Sequence, residues 1–378
     1  MSTLRVILDQ MLAPVPGGVG RSTEELTRAL ISTAPRGSRV AGFVPASTDE
    51  EYATIRERLP GLAELHKSAL ARRELAFAWQ HGFTPIPGEG LLHATSLLAP
   101  LRRHDRIAKP DSQVVVTIHD AVPWTHPETL SPRSVSWHTA MGKRAARYAD
   151  AVVVPTHAVA EELSAFLDLG ERVRVVGGAP SESLRLGDDA DARARALDLP
   201  PRFVASIGSL EPRKGLEPLI RAFAVGAIPA DVVLVLVGSE SRGEVDAVAA
   251  AAGLATERIR VMGNVGDGDL AVILDRAAVF AFPSLAEGFG LPLVEAFSLG
   301  TPVVHSDAPA LVEVAADAGL IVPREDADGY PTRLAESIRD VLEDTALAER
   351  LSISGRDRAK AFSWRDSAEK IWQLHADL

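Results

Sequence analysis

A chain of 378 residues is too long for one ordinary core and fits two domains of about 150–200 residues. With 46% hydrophobic and 24% charged residues it reads as globular, and a net charge of −11 argues against wholesale nucleic-acid binding. There is no cysteine, which excludes disulfides, thiol catalysis and Cys-ligated metals.

The N-terminal apolar run breaks at Asp9 and Gln10, so it does not read as a signal peptide. No apolar stretch is long enough to span a bilayer, and the expected location is cytoplasmic. Residues 6–8 predict an opening parallel strand. A glycine run containing Gly17, Gly18 and Gly20 follows, then a helix over 22–34 whose start is marked by Ser22 and Glu25 at capping-box spacing. Strand, glycine turn and helix N-terminus can cradle an anion or admit a substrate; the same run also serves as a plain tight turn. It is neither a dinucleotide fingerprint nor a Walker loop.

Residues 39–44 predict the second strand, and 48–82 reads as helical. Residues 91–96 end a strand, where His93 is either an acceptor-side contact or a polar strand terminus. The stretch 101–109 carries Arg102, Arg103, His104, Arg106 and Lys109 against Asp105 alone. It is either a solvated face or a contact for an anionic acceptor or peripheral membrane surface, where each cation is worth roughly 1 kcal/mol. Residues 114–118 form a buried strand with His119 and Asp120 at its C-terminal end, where open α/β sheets bind ligands. A His there can hydrogen-bond a sugar hydroxyl, with the adjacent carboxylate orienting it. A helix over 133–149 and strands at 151–155 and 173–176 complete the half. Residues 181–199 read as linker plus a short helix.

The strand-and-turn pattern restarts at 202–207. The turn Gly208-Ser209-Leu210-Glu211-Pro212-Arg213-Lys214-Gly215 follows, then a helix over 217–223. Arg213, with a planar fork, and Lys214, as a point charge, suit a phosphate. Strands at 231–238 and 259–263 end in Gly238 and Asn264. Next, a buried strand at 279–282 leads into Ser284-Leu285-Ala286-Glu287-Gly288-Phe289-Gly290-Leu291-Pro292-Leu293-Val294-Glu295. Gly288 and Gly290 allow close backbone approach, Pro292 suits a first helical turn, and Glu295 is a costly charge on an otherwise apolar helix. Two carboxylates eight residues apart beside free helix amides suit a polyhydroxylated, phosphorylated ligand, or else are a loop charge and a solvated face. Strands at 301–304 and 319–322 and helices over 331–345, 346–361 and 364–374 finish the chain. Three Asp-x-Asp spellings, at Asp189, Asp267 and Asp326, follow no buried strand and read as solvated loop charge, so no metal site is expected.

The segment from Glu287 to Glu295 resembles the Glu-x7-Glu motif of retaining glycosyltransferases of family 4, including Gly-Phe-Gly-Leu-Pro-Leu-Val-Glu-Ala. The loop Gly17-Gly18-Val19-Gly20-Arg21, the turn Gly208–Gly215 and the run Thr117-Ile118-His119-Asp120-Ala121-Val122-Pro123 resemble the same family at matching places. The resemblance covers nearly the whole chain. It implies an α/β fold of two Rossmann-like, doubly wound domains facing a central cleft (GT-B): an acceptor domain over 1–180, a linker over 181–200, a nucleotide-sugar domain over 201–361 and a returning helix over 362–378.

By this resemblance Glu295 holds the ribose, and Glu287 with the amides of Phe289, Gly290 and Leu291 holds the donor sugar. Gly208, Gly238, Asn264 and Gly288 border the donor. Arg213 and Lys214 stabilise the leaving diphosphate. His119 and Asp120 face the donor sugar or acceptor, and Gly17, Gly18, Gly20 and His93 line the acceptor side. The implied reaction is retaining, needs no metal or other cofactor, and moves a hexose from a nucleotide sugar to a saccharide or lipid-linked acceptor. The context of His119 and Asp120 is most similar to bacterial mannosyl- and rhamnosyltransferases of cell-envelope or polysaccharide synthesis, so GDP-mannose is the first donor expected. An epimerase or phosphorylase on the same scaffold, a nicotinamide dehydrogenase lacking its phosphate fingerprint, and a non-catalytic binding protein are the rival readings.

Overall fold

The computed structural model describes residues 2–13, 17–83, 90–105, 109, 112–238 and 241–378. The chain forms two compact units, Met1–Gly178 with Ser363–Leu378, and Ala179–Phe362.

The first unit is built on seven strands: β1 (Ser2–Ile7), β2 (Ser38–Val44), β3 (Glu64–Lys67), β4 (Leu91–Ala94), β5 (Gln113–Thr117), β6 (Ala151–Val154) and β7 (Val173–Val175). They lie in the order β3-β2-β1-β4-β5-β6-β7 and every pair is parallel. Helices cover both faces, so the central strands are apolar on both sides; all five residues of β5 are buried. Strand order reverses between β1 and β4, the point where open sheets of this kind leave a crevice.

Two local expectations change here. The stretch 48–82 is not helical throughout: helices Asp49–Arg58 and Arg72–His81 flank β3. That strand buries only Leu65 among polar neighbours, as a short edge strand does. The first helix spans Gly18–Ser32, starting four residues before Ser22, so Ser22 and Glu25 form no capping box. Gly17, extended at φ −74° and ψ −170°, is the cap, and the Arg21 amide reaches its carbonyl at 3.1 Å. Glu25 instead pairs with Arg28 at 3.0 Å.

The last helix, Trp364–Asp377, packs on the first unit. Ser367 Oγ donates to the Gly177 carbonyl at 2.8 Å, and Trp372 Nε1 donates to the Leu30 carbonyl at 3.2 Å. His375 Nδ1 meets Gln113 Oε1 at 2.9 Å.

The second unit holds β8 (Phe203–Ile207), β9 (Val233–Val237), β10 (Ile259–Gly263), β11 (Val279–Phe282), β12 (Val303–Ser306) and β13 (Leu320–Val322). Their order is β10-β9-β8-β11-β12-β13, again all parallel. Side chains alternate between two cores: Phe203, Val235, Phe280 and Phe282 on one face, Val204, Leu234, Val279 and Ala281 on the other. The reversal here falls between β8 and β11. Residues 181–200 are part of this unit rather than a free connection, because Leu184, Leu197 and Leu199 pack into its core. Among the described residues no helix is long and apolar enough to cross a membrane.

Candidate functional site

In the second unit the candidate donor residues sit at the C-terminal ends of adjacent strands. Gly208 follows β8, Gly238 follows β9, Asn264 follows β10, and Glu287 to Leu291 follow β11. The backbone ties three of these ends together: the Gly208 amide donates to Val237 at 3.0 Å and the Gly238 amide to Gly263 at 2.8 Å. Gly238 takes a left-handed φ of +87°.

The two turns at the reversal point touch directly. Lys214 Nζ lies 2.5 Å from Glu287 Oε1, with both side chains largely enclosed. The Leu285 amide donates to the Arg213 carbonyl at 2.7 Å. Gly215 holds φ at +66°, and any Cβ there would overlap the Pro283 carbonyl oxygen, so only glycine allows this approach. The Arg213 guanidinium is held within its own loop by Glu211, at 3.0 Å through Nε and through Nη2.

Gly290, left-handed at φ +86°, caps the helix Leu291–Leu299, with Pro292 in its first turn. Pro292 has no amide hydrogen and the Leu293 amide donates to the Gly290 carbonyl at 3.0 Å, so this helix end favours an anion through its dipole rather than through a row of free amides. Glu295 is only 1% exposed.

The strand-end carbonyls behind this turn are each held by a distant side chain that sequence reasoning missed. The Tyr330 hydroxyl donates to Pro283 at 3.0 Å, Ser306 Oγ to Ser284, and Arg324 Nη1 to Leu285. Arg324 Nε is in turn fixed by Asp307 at 2.5 Å. Burial pushes the Tyr330 hydroxyl up, so it stays a donor. Nothing in the local sequence around Arg324 or Tyr330 signals these contacts, which span up to 47 positions.

Five of the six Asp-x-Asp acids are engaged by other groups. Asp189 and Asp269 both pair with Arg193 at 2.8 Å, Asp191 pairs with Arg276 at 2.5 Å, and Asp267 accepts from Ser183. Asp326 lies 3.9 Å from Arg333.

In the first unit, His119 is half-buried at the end of β5. Its Nε2–H donates to the Thr95 carbonyl at 2.7 Å, which leaves Nδ1 with a free lone pair. Burial lowers its pKa, against the Thr95 bond and the Asp120 charge, so the ring is neutral near pH 7. Such a nitrogen can accept a hydrogen bond from a sugar hydroxyl. Asp120 does not orient this ring, contrary to expectation: its carboxylate accepts the Val122 amide at 3.0 Å and shapes the next turn. The Thr95 carbonyl supplies the orientation instead.

His93 is not an acceptor contact. It is 0% exposed, its Nε2 meets Thr117 Oγ1 at 3.1 Å, and its ring stands edge-on to His375 at 6.2 Å. The position alternates inward on β4, which places the ring in the protein interior. Gly17 remains open, since a methyl added at its Cα would meet nothing within 4 Å, while Gly18 and Gly20 lie in the first helical turn.

A cavity of about 680 Å³ opens over His119 and Asp120, with Gln10, Ser96 and Arg72 on its wall. Bonded to all three is Asp9, another residue the sequence did not mark for the site. Its carboxyl is buried, which pushes its pKa up, while Arg72 at 3.0 Å opposes that. In the basic stretch, His104 is committed to Asp150 at 3.0 Å, Arg102 and Arg103 are exposed, and Arg106 lies outside the described residues.

Two family models match the chain. A family model described as Glycosyltransferase Family 4 matches residues 16–179, and one described as Glycosyl transferases group 1 matches residues 188–358. The chain is 30% identical over 345 residues to the MMP alpha-(1->4)-mannosyltransferase of Mycolicibacterium hassiacum, covering 82% of this chain and 79% of that one. It is 36% identical over 167 residues to O-antigen chain mannosyltransferase B of Escherichia coli, over 43% of each. The chain thus spans less than half the length of that relative. Among solved structures, sucrose-phosphate synthase from Thermosynechococcus elongatus superposes with a TM-score of 0.75 at 22% identity, over 100% of this chain and 99% of that one, which is a likeness of fold. With two doubly wound Rossmann-like units, each on a sheet of parallel strands, these matches place the chain in the family 4, or group 1, glycosyltransferases of GT-B fold.

Proposed function

We propose that the protein is a retaining hexosyltransferase that moves a sugar, mannose first, from a nucleotide donor to a saccharide or lipid-linked acceptor. The observation that carries this reading is the contact between Lys214 and Glu287 at the reversal point of the second sheet. One turn contributes a cation for a leaving diphosphate, and the other a carboxylate for sugar hydroxyls, beside the N-terminal end of the helix Leu291–Leu299. Preorganised donors of this kind can each be worth several kcal/mol in the transition state. With Arg213 and Lys214 meeting the diphosphate charge, the reaction runs without a metal. Glu295 takes the ribose. His119 Nδ1 accepts from an acceptor hydroxyl in the first unit. The mannosyltransferase relatives support mannose, and hence GDP, as the donor chemistry. Exposed Arg102 and Arg103 provide a peripheral contact with anionic lipid.

The test is thermal stabilisation by GDP, UDP, dTDP and ADP and their sugars, with EDTA present, followed by transfer assays with the stabilising donor. A shift for a guanosine donor, lost in Lys214→Ala, is expected, with the anomeric configuration of the donor kept in the product. Turnover with a uridine donor alone would overturn the mannose assignment. A shift that appears only when a divalent metal is added would overturn the metal-free reaction. Binding of nucleotide without any acceptor product, but with epimerised sugar or phosphorolysis, would replace transfer by one of those reactions.

A further inference from the structure

The cavity over His119 has a composition that the proposed reaction by itself does not require. Arg73 stands in the first turn of the helix Arg72–His81, and Arg133 in the first turn of the helix Pro132–Tyr148; both line the cavity. Arg72, beside them, is committed to Asp9. Arg73 and Arg133 are exposed and have no ion-pair partner among the described residues. Among the described lining residues Asp120 is the one carboxylate, and its Oδ1 accepts the Val122 amide. Placing cations in the first turn of two helices is also unfavourable with respect to the helix dipole, which prefers anions there. Both positions thus present guanidinium groups where local structure gains nothing from them, in a chain of net charge −11.

Aromatic faces accompany these cations. Trp124 and Trp137 line the same cavity half-buried, and Phe77 stands 60% exposed at it. Flat apolar faces suit the CH face of a sugar ring, and a guanidinium fork matches a phosphate or carboxylate bidentately.

Resting on the proposed transferase reading, we propose that this cavity selects an anionic acceptor: a saccharide that carries a phosphate or carboxylate. Arg73 and Arg133 grip the anion. Trp124, Trp137 and Phe77 carry the ring, and the receiving hydroxyl lies at His119 Nδ1. The anion is either a soluble sugar phosphate or uronate, or the phosphate of a lipid-linked sugar; the chemistry recognised is the same.

Direct binding to the full chain tests this, with nucleoside diphosphate present in excess so that the donor turn is filled. Titrations compare mannose, mannose 6-phosphate, glucuronate, and a long-chain alkyl phosphate mannoside in neutral detergent micelles. At least one anionic probe is expected to bind about tenfold or more tightly than mannose. Arg73→Gln with Arg133→Gln is expected to remove that preference, and Arg73→Lys with Arg133→Lys to restore part of it. Preference for the micellar probe identifies a lipid-linked acceptor, and preference for the soluble ones a free sugar acid or phosphate. Equal binding of neutral and anionic probes, or a preference that survives the double Gln variant, overturns the proposal. The thermal shift with nucleotide is read in parallel. Its absence would sink the donor reading, while the comparison of arginine variants would still decide the cavity.

Discussion

Lys214 Nζ sits 2.5 Å from Glu287 Oε1, although 73 residues separate the two in the chain. Their side chains are 20% and 10% exposed, so each neutralises the other in a partly desolvated place. The two groups act as a unit rather than independently. Lys214→Ala or Glu287→Gln alone is expected to lower kcat by about 10²–10³. The double variant should fall well short of the product of the two losses, with a coupling of about 1 kcal/mol or more. Steady-state kinetics on the four proteins of the cycle check this, and strictly multiplicative losses would show that the contact is incidental.

Gly215 and Gly243 predict opposite outcomes for the same substitution. At Gly215 the backbone is left-handed and a Cβ would collide with the rigid Pro283 carbonyl. Gly215→Ala is therefore expected to destabilise the protein by about 2 kcal/mol or more and to loosen the Arg213–Lys214 turn. Gly243 lies in the helix Arg242–Ala252 with open space around it. Its replacement by Ala should stabilise by a few tenths up to ~1 kcal/mol. Chemical denaturation of both variants measures the difference. A neutral Gly215→Ala would mean that the two turns do not depend on this close approach.

A buried set of imidazoles sets the acid limit of the first unit. Burial lowers His93 to about 3 and His375 to about 4; His375 and His119 face His93 and reinforce its shift. Both folded-state values lie below the ordinary value of 6.5, so the unfolded chain takes up protons first. Stability is complete above pH 6.5 and declines as pH falls toward 4 and then 3. Between pH 6.5 and 5 each group contributes a loss of about 2 kcal/mol. Melting temperatures across that interval should drop, and His375→Gln should flatten part of the slope. An unchanged slope in that variant would assign the acid sensitivity elsewhere, for example to His305 in the second unit, which burial lowers to about 4.

Charge reversal of Arg102 and Arg103 to Glu tests the lipid contact. Each exposed cation near an anionic surface is worth roughly 1 kcal/mol, so four units of altered charge should reduce binding to phosphatidylglycerol vesicles by more than about tenfold. Unchanged sedimentation with vesicles would remove the membrane from the proposal. His104 serves poorly for this purpose, because its ring is tied to Asp150 and its loss would disturb β5 through the Val114 amide, which Asp150 also holds at 2.7 Å.

Much of the site is legible in the sequence because it is local. Short apolar runs ending in glycine, proline or a charge mark buried parallel strands and the turns that follow them. The turns Gly208–Gly215 and Glu287–Leu291 can therefore be placed at strand ends from the residues alone. The helix start at Gly18 escapes this reasoning because a capping box is only a spacing, and Glu25 finds a partner in Arg28 instead. β3 escapes it because an edge strand with a single buried residue has almost no period to detect.

Residue order alone establishes the alternation of strand and helix, the restart of the pattern in the second half, and which residue types stand at each strand end. These follow from side-chain period and turn chemistry, which act over a few residues. It takes the folded chain to show that Lys214 meets Glu287, that Arg324, Ser306 and Tyr330 hold the carbonyls of residues 283–285, and that the Thr95 carbonyl orients His119. The folded chain also shows that His93 turns into the interior, whereas Arg73 and Arg133, which carry no signal in the sequence, line one cavity. The physical reason is strand order: reversal at β1/β4 and at β8/β11 makes neighbours of segments far apart in the chain, and no local pattern encodes that adjacency.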